Sequence, residues 1–215
     1  MTGHSAMIKA IIFDLDSCLS ASDEVGRELF ASAFDAIRKA NRGTISEDTL
    51  ERAFEDSWRI AFDAIATTYG FSGEMREAGW KVFSQITVTQ PMYGYGDLDV
   101  LKDLAVMKFL VTSGFRRLQE SKIQMLGISS LLTDAYVDAI DEPGRIGKRG
   151  FFENILADHA LQPAEVLVVG DNPESEIEAG NQLGMTTVQI LRPGVTRDAR
   201  AMRHIQSLRE LKAMI

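Results

Sequence analysis

A single cysteine, Cys18, stands in the 215 residues, which excludes an intramolecular disulfide and a zinc site built from cysteines. A lone thiol suits a reducing compartment. No apolar run approaches the ~20 residues of a membrane-spanning helix. The opening stretch MTGHSAM lacks the basic-then-apolar order of a secretory signal. The expectation is a cytoplasmic protein with no membrane partner. Basic residues are outnumbered, 23 Lys and Arg against 31 Asp and Glu, for a formal net charge of −8. Nucleic-acid binders usually carry a basic face, so no nucleic-acid partner is expected. A small anionic substrate is still allowed, because a metal ion and one local cation can reverse the sign inside a pocket. Repeats and low-complexity tracts are absent too. With 45% hydrophobic residues, the chain can build one good core, or a core and a small second domain.

What is present is a set of short, dense apolar runs. IKAIIFD (8–14), VMKFLVTS (106–113) and EVLVVGD (165–171) are apolar on both faces and end in a small or acidic residue. Such runs fit strands of a parallel sheet covered by helices on both sides. TDAYVDAI (133–140) and TTVQIL (186–191) are weaker candidates of the same kind. Helical stretches alternate with them: 114–127, 151–161 and 174–184. The alternation predicts a doubly wound α/β domain.

Residues 20–92 break this rhythm. Ser22, Ser46 and Ser72 each stand where a helix N-cap would. The first helix would carry Val25, Leu29, Phe34 and Ile37 on one face. The second would run from Leu50 through Phe54, Trp58 and Ala61 to Ile65, and the third from Met75 to Ile86. About 70 residues are too many for one crossover helix. They read as an all-α bundle inserted after the first strand (20–92), on an α/β core made of 7–19 and 93–215. Its hinges fall near 18–22 and 89–96, where Gly94 and Gly96 suit the second.

In an open α/β sheet, ligands bind at the carboxyl ends of the strands. Here the first strand ends in Asp14-Leu15-Asp16, the second in Thr112-Ser113-Gly114, and the third in Gly170-Asp171-Asn172, with Glu174 and Glu176 just beyond. Between the last two lies GRIGKRG, offering Arg145, Lys148 and Arg149 as cations. Hard oxygen ligands suit Mg²⁺. One carboxylate can attack phosphorus, and a second can move a proton to the leaving alcohol. A Thr hydroxyl, free N–H groups and a cation can receive the transferring oxygens.

The stretches FDLDSCL, FLVTSGF, GRIGKRGFF and VVGDNPESEIEAG, in that order, resemble the haloacid dehalogenase superfamily in its phosphatase form. The resemblance implies a Rossmann-like core with a helical cap. It implies a Mg²⁺-dependent hydrolase that takes phosphate from a small phosphorylated metabolite through an aspartyl phosphate. It makes Asp14 the nucleophile and Asp16 the acid/base, whose carbonyl also binds the metal. Thr112 would bind phosphate together with Ser113, Gly114 and Lys148, and Asp171 would complete the metal ligands. Asn172 and Glu176 would lie in the outer shell. The chain departs from the pattern at Cys18, at Arg149-Gly150 after the lysine, and at Glu176, where a second Asp is common.

Competing readings are a phosphomutase using the same residues, a 2-haloacid dehalogenase, and a receiver domain phosphorylated on aspartate. Asp16 argues against dehalogenation, which needs no acid for an alcohol, and the long insert argues against a receiver. Phe54, Trp58 and Trp80 read as insert core, and Arg59 and Arg76 as solvated helix positions.

Overall fold

The computed structural model describes residues 7–215. Six strands form one all-parallel sheet: β1 Ala10–Phe13, β2 Met107–Gly114, β3 Asp134–Ala139, β4 Val166–Gly170, β5 Thr186–Ile190 and β6 Arg203–Ile205, in the order β3-β2-β1-β4-β5-β6. Strand β1 is central, with Phe13 level with Leu110 on one side and Val169 on the other. All four of its residues are fully buried. Ile11 and Phe13 pack into one hydrophobic cluster, and Ala10 and Ile12 into a second on the opposite face. This is the two-sided burial that its unbroken apolar run predicts. Strand β6 has no counterpart in the sequence reading. Its three residues, RHI, are too few and too polar to stand out.

Between β1 and β2 lie four helices, α1 Ala31–Ala40, α2 Glu47–Asp56, α3 Phe62–Thr68 and α4 Gly73–Phe83. The caps expected at Ser46 and Ser72 are formed: their hydroxyls accept from Thr49 N at 3.3 Å and Met75 N at 3.2 Å. The Ser22 side chain lies outside the described residues. The first expected helix is instead two 3-10 turns, Ser22–Val25 and Arg27–Phe30, interrupted at Gly26 before α1 begins. The second stops at Asp56 and resumes at Phe62 as α3. Its apolar spacing was continuous, but packing overrides it. In the break, Trp58 stacks on Phe30 with centroids 4.4 Å apart.

The insert shares one hydrophobic cluster with the sheet. Phe115, just before α5 (Arg116–Leu126), stacks on Phe83 of α4 at 5.8 Å. Of the remaining helices, α6 Gly147–Asp158 packs against β2 and β3, and α7 Glu176–Gln182 packs against β4, β5 and α6. α6 begins four residues before the expected 151.

The two connections to the insert meet at one buried ion pair. Arg192 donates to both carboxylate oxygens of Asp97 at 2.9 Å and, through Nη2 and Nε, to Cys18 O at 2.8 and 3.2 Å. Its guanidinium lies 4.2 Å from the Tyr95 ring centroid. Asp97 also accepts from Ser207 Oγ and Leu208 N, at 2.9 Å each. Nearby, a Cβ on Gly94 would fall 2.4 Å from Leu19 O, so the connections can touch only because that residue is glycine.

Burial pushes the Asp97 carboxyl up, but the bonds from Arg192, Leu208 N–H and Ser207 outweigh it and hold it below its ordinary value. Such an acid contributes stability above its unfolded pKa of ~3.9 and loses it as pH falls through the lower folded value. Asp97→Asn should therefore cost about 3–5 kcal/mol at neutral pH, by urea unfolding, because it strands a buried guanidinium. The gap from wild type should hold down to about pH 5 and shrink below about pH 4. A variant as stable as wild type at pH 7 would show that the pair does not secure the connections.

Candidate active site

Asp14 follows β1 directly, and its N–H still bonds to Val169 O at 2.9 Å, so its carboxylate emerges at the carboxyl edge of the sheet. The chain then turns sharply. Leu15 O accepts from the N–H groups of Cys18, Leu19 and Ser20, and Ser17 sits at a φ of 55°, unusual outside glycine. Asp16 leaves this turn toward α5. Lys122 Nζ lies 2.8 and 3.0 Å from its two carboxylate oxygens, and Gln119 Nε2 lies 3.0 Å from one of them. Lys122 and Gln119 are both buried. The Cys18 thiol is buried, 3.6 Å from Val169 O, which fits a packing role.

On the other side of β1, Asp171 follows β4, and Glu176 opens α7. Glu176 folds back over Gly170, where a Cβ would lie 2.2 Å from its Oε1. Asn172 N donates to that oxygen at 2.7 Å. Lys148, near the start of α6, reaches Asp14 Oδ1 and Glu176 Oε2, each at 2.7 Å. One carboxylate oxygen from each of Asp14, Asp171 and Glu176 lies within 4.8 Å of the others. Burial pushes the Asp14 carboxyl up to about 8; Lys148 opposes the rise, while Glu176 and Asp171 add to it. Burial and Glu176 raise Asp171 to about 6, against the pull of Arg59. Burial alone would lower Lys148, but the two carboxylates outweigh it and hold it well above its ordinary value.

Thr112, almost fully buried, and Ser113 line the same cavity as Asp14 and Lys148, a space of about 370 Å³. Arg59, Ile60 and Asp63 close it from the insert. Gly114 lies next door, in a smaller lobe of about 50 Å³ between Asp16, Gln119 and the Trp58–Phe62 segment. Of the three candidate cations, Lys148 is the one on Asp14. Arg145 is spent on Asp138, at 2.6 and 3.1 Å, and on Asp63. Arg149 faces solvent beside Glu153.

The sequence reading missed Asp138, Gln119, Lys122 and Arg59. Asp138, at the end of β3, also accepts from Ser113 Oγ and Gly147 N, and so shapes the loop that delivers Lys148. Its signal was available: an acid ending a strand, as in β1 and β4. Gln119 and Lys122 look like ordinary polar helix positions. Arg59, expected in solvent, instead pairs with Asp171 because α2 breaks there. Arg76 is used within the insert, bonding to Phe71 O at 3.0 Å and Ala66 O at 2.9 Å.

The buried cluster is all oxygen, and its three acids outnumber the two cations set against them, Lys148 and Arg59. That donor set fits a hard divalent cation. Among the described residues, no helix is long and apolar enough to cross a membrane.

The family model for haloacid dehalogenase-like hydrolases matches residues 8–184. A glyceraldehyde 3-phosphate phosphatase of Methanopyrus kandleri is 27% identical over 202 residues, covering 86% of this chain and 85% of its own. An enolase-phosphatase E1 of Sorangium cellulosum is 35% identical over 100 residues, 46% of this chain and 42% of its own. The magnesium-bound HAD-hydrolase YfnB of Bacillus subtilis shares the fold with a TM-score of 0.63 at 17% identity, covering 97% of this chain and 99% of its own. A predicted phosphoglycolate phosphatase of Haemophilus somnus does so with a TM-score of 0.65 at 15% identity, covering 98% and 99%. The chain belongs to the haloacid dehalogenase-like hydrolases, and both curated relatives are named as phosphatases.

An acid whose folded pKa lies above its unfolded ~3.9 takes up a proton on folding, so it costs stability as pH rises. For Asp14 that cost grows from about pH 4 to about pH 8. With a chelator present, Asp14→Asn should melt at a higher temperature than wild type at pH 8, and the gap should narrow toward pH 5. A variant melting below wild type at pH 8 would contradict the charge-crowding account.

Proposed function

We propose that the protein is a Mg²⁺-dependent phosphatase that removes phosphate from a small phosphorylated metabolite through an aspartyl phosphate on Asp14. One observation carries this reading. The Asp14 carboxylate lies in a cavity whose other walls hold Thr112, Ser113 and Lys148, with Asp16 beside it. The phosphatase names of the relatives support it. In this reading residues 20–92 are a cap over a core of 7–19 and 93–215, and the enzyme works in the cytoplasm.

Asp14 attacks phosphorus and the ester P–O bond breaks, leaving the phosphoryl group on its carboxylate. Asp16, turning from Lys122 and Gln119, gives its proton to the departing alkoxide oxygen. It then takes a proton from water as that water attacks the phosphorus, which frees phosphate and restores Asp14. Thr112 Oγ1, the N–H groups of Ser113 and Gly114, and Lys148 receive the phosphoryl oxygens. Asp14, the Asp16 carbonyl and Asp171 would hold Mg²⁺, with Asn172 and Glu176 behind them. When bound, the ion supplies positive charge that offsets the crowded acids and the incoming phosphate. A dehalogenase would have no use for the proton on Asp16. A phosphomutase would return the phosphoryl group to substrate, whereas the relatives' names favour its release to water.

A panel of phosphorylated metabolites assayed with Mg²⁺ should reveal phosphate release, and Asp14→Asn should abolish it while remaining folded. Asp16→Asn should slow esters with poor leaving groups by ~10²–10⁴. In single turnover an activated aryl phosphate should suffer less. Residual turnover of more than a few per cent in Asp14→Asn, or equal losses on both ester types in Asp16→Asn, would refute the assigned roles.

A further inference from the structure

Among the described residues, two salt bridges join the insert to the rest of the chain, and they run in opposite senses. Arg145, from the loop before α6, reaches Asp63 of α3, and Arg59 of the insert reaches Asp171 at the end of β4. The second pair is lopsided. The Asp171 side chain is 5% exposed and the Arg59 side chain 41%. Arg59 also donates to Gly194 O at 3.3 Å. The oxygen it takes, Asp171 Oδ2, belongs to the carboxylate grouped with Asp14 and Glu176.

We propose that Arg59 stands in for the divalent cation at Asp171. In the cation-free protein it neutralises this buried carboxylate and latches the insert down. A cation that binds Asp171 displaces it, and the guanidinium then turns to the phosphate of the substrate. This rests on the reading of the acidic cluster as the metal site. Three features carry it further than that reading. Arg59 lies in the non-helical break between α2 and α3, so its release unwinds no helix. It lines the cavity that holds Asp14, Thr112 and Lys148, so a displaced guanidinium already faces the incoming anion. Both other cations on that wall keep two carboxylate partners, Lys148 with Asp14 and Glu176 and Arg145 with Asp138 and Asp63. Lys148 also touches a carboxylate of the cluster, Asp14, but keeps Glu176 besides; among the described residues Arg59 has Asp171 as its one carboxylate partner, so a cation there takes its whole ion pair.

Competition predicts changes of opposite sign in one variant, which a merely structural role would not produce. By isothermal titration calorimetry with MgCl₂ alone, Arg59→Gln should bind the cation about fivefold more tightly than wild type, the loss of one partly exposed ion pair. In the presence of Mg²⁺, it should bind inorganic phosphate about tenfold more weakly, the loss of one charge-assisted hydrogen bond. Arg59→Lys, which keeps the charge, should fall between the two in both titrations. Should the glutamine variant fold poorly, the lysine variant reads the same two shifts at smaller size. Asp171→Asn separates the levels of the argument. If it abolishes Mg²⁺ binding while Arg59→Gln binds Mg²⁺ no more tightly than wild type, the displacement is wrong and the metal site stands. If wild type itself binds no Mg²⁺, the metal-site reading fails and the proposal with it. Unchanged phosphate affinity in Arg59→Gln would overturn the transfer of Arg59 to substrate.

Discussion

Three carboxylates buried within 4.8 Å of one another set the terms for this molecule. In a low-dielectric setting their repulsion is costly, and it is met only in part by Lys148 and Arg59. Much of the surrounding architecture answers that charge. Gly170 lacks a side chain so that Glu176 can fold back, and Asn172 N–H satisfies the outer oxygen of Glu176. Asp138 fixes the loop that brings Lys148 to the cluster. Asp16, only two residues from Asp14, is drawn to its own buried lysine on α5. A site arranged this way keeps its nucleophile candidate in a state that a divalent cation would relieve, at a standing cost in stability.

Strand order explains why these groups meet at all. Strand β1 lies between β2 and β4, so the chain reverses its direction across the sheet there and opens a crevice at the carboxyl edge. Residues more than 150 positions apart, Asp14 and Asp171, become neighbours because Phe13 is in register with Val169. The insert departs from the tip of β1 immediately after the acidic turn, and the same crevice is roofed by its Arg59–Asp63 segment. Its connections are held at the root by Arg192, which binds Cys18 O on the way out and Asp97 on the way back. Beyond that root, the insert and sheet share one apolar cluster through Phe83 and Phe115. Motion of the insert would have to open the Arg59 and Arg145 bridges and slide over this aromatic contact, leaving the Arg192 clasp in place.

The class of fold and the inventory of reactive groups follow from short-range patterns in the chain. Apolar runs of strand length ending in acids or hydroxyls define β1, β2 and β4, and strand-end position alone brings Asp14, Thr112 and Asp171 to one edge. The N-caps at Ser46 and Ser72 are local chemistry, legible from neighbouring residues. Whatever depends on partners distant in the chain emerges only on folding. Trp58 and Arg59 sit at good helical spacing, yet stacking on Phe30 and the charge of Asp171 accompany a break in the helix around them. Lys122 and Gln119 carry no mark of their role until α5 packs beside the turn that holds Asp16. Strand β6 becomes a strand only because β5 offers it an open edge. Periodicity and capping are short-range signals, whereas the choice of counter-ion for a buried charge is made by whatever the fold brings within about 4 Å of it.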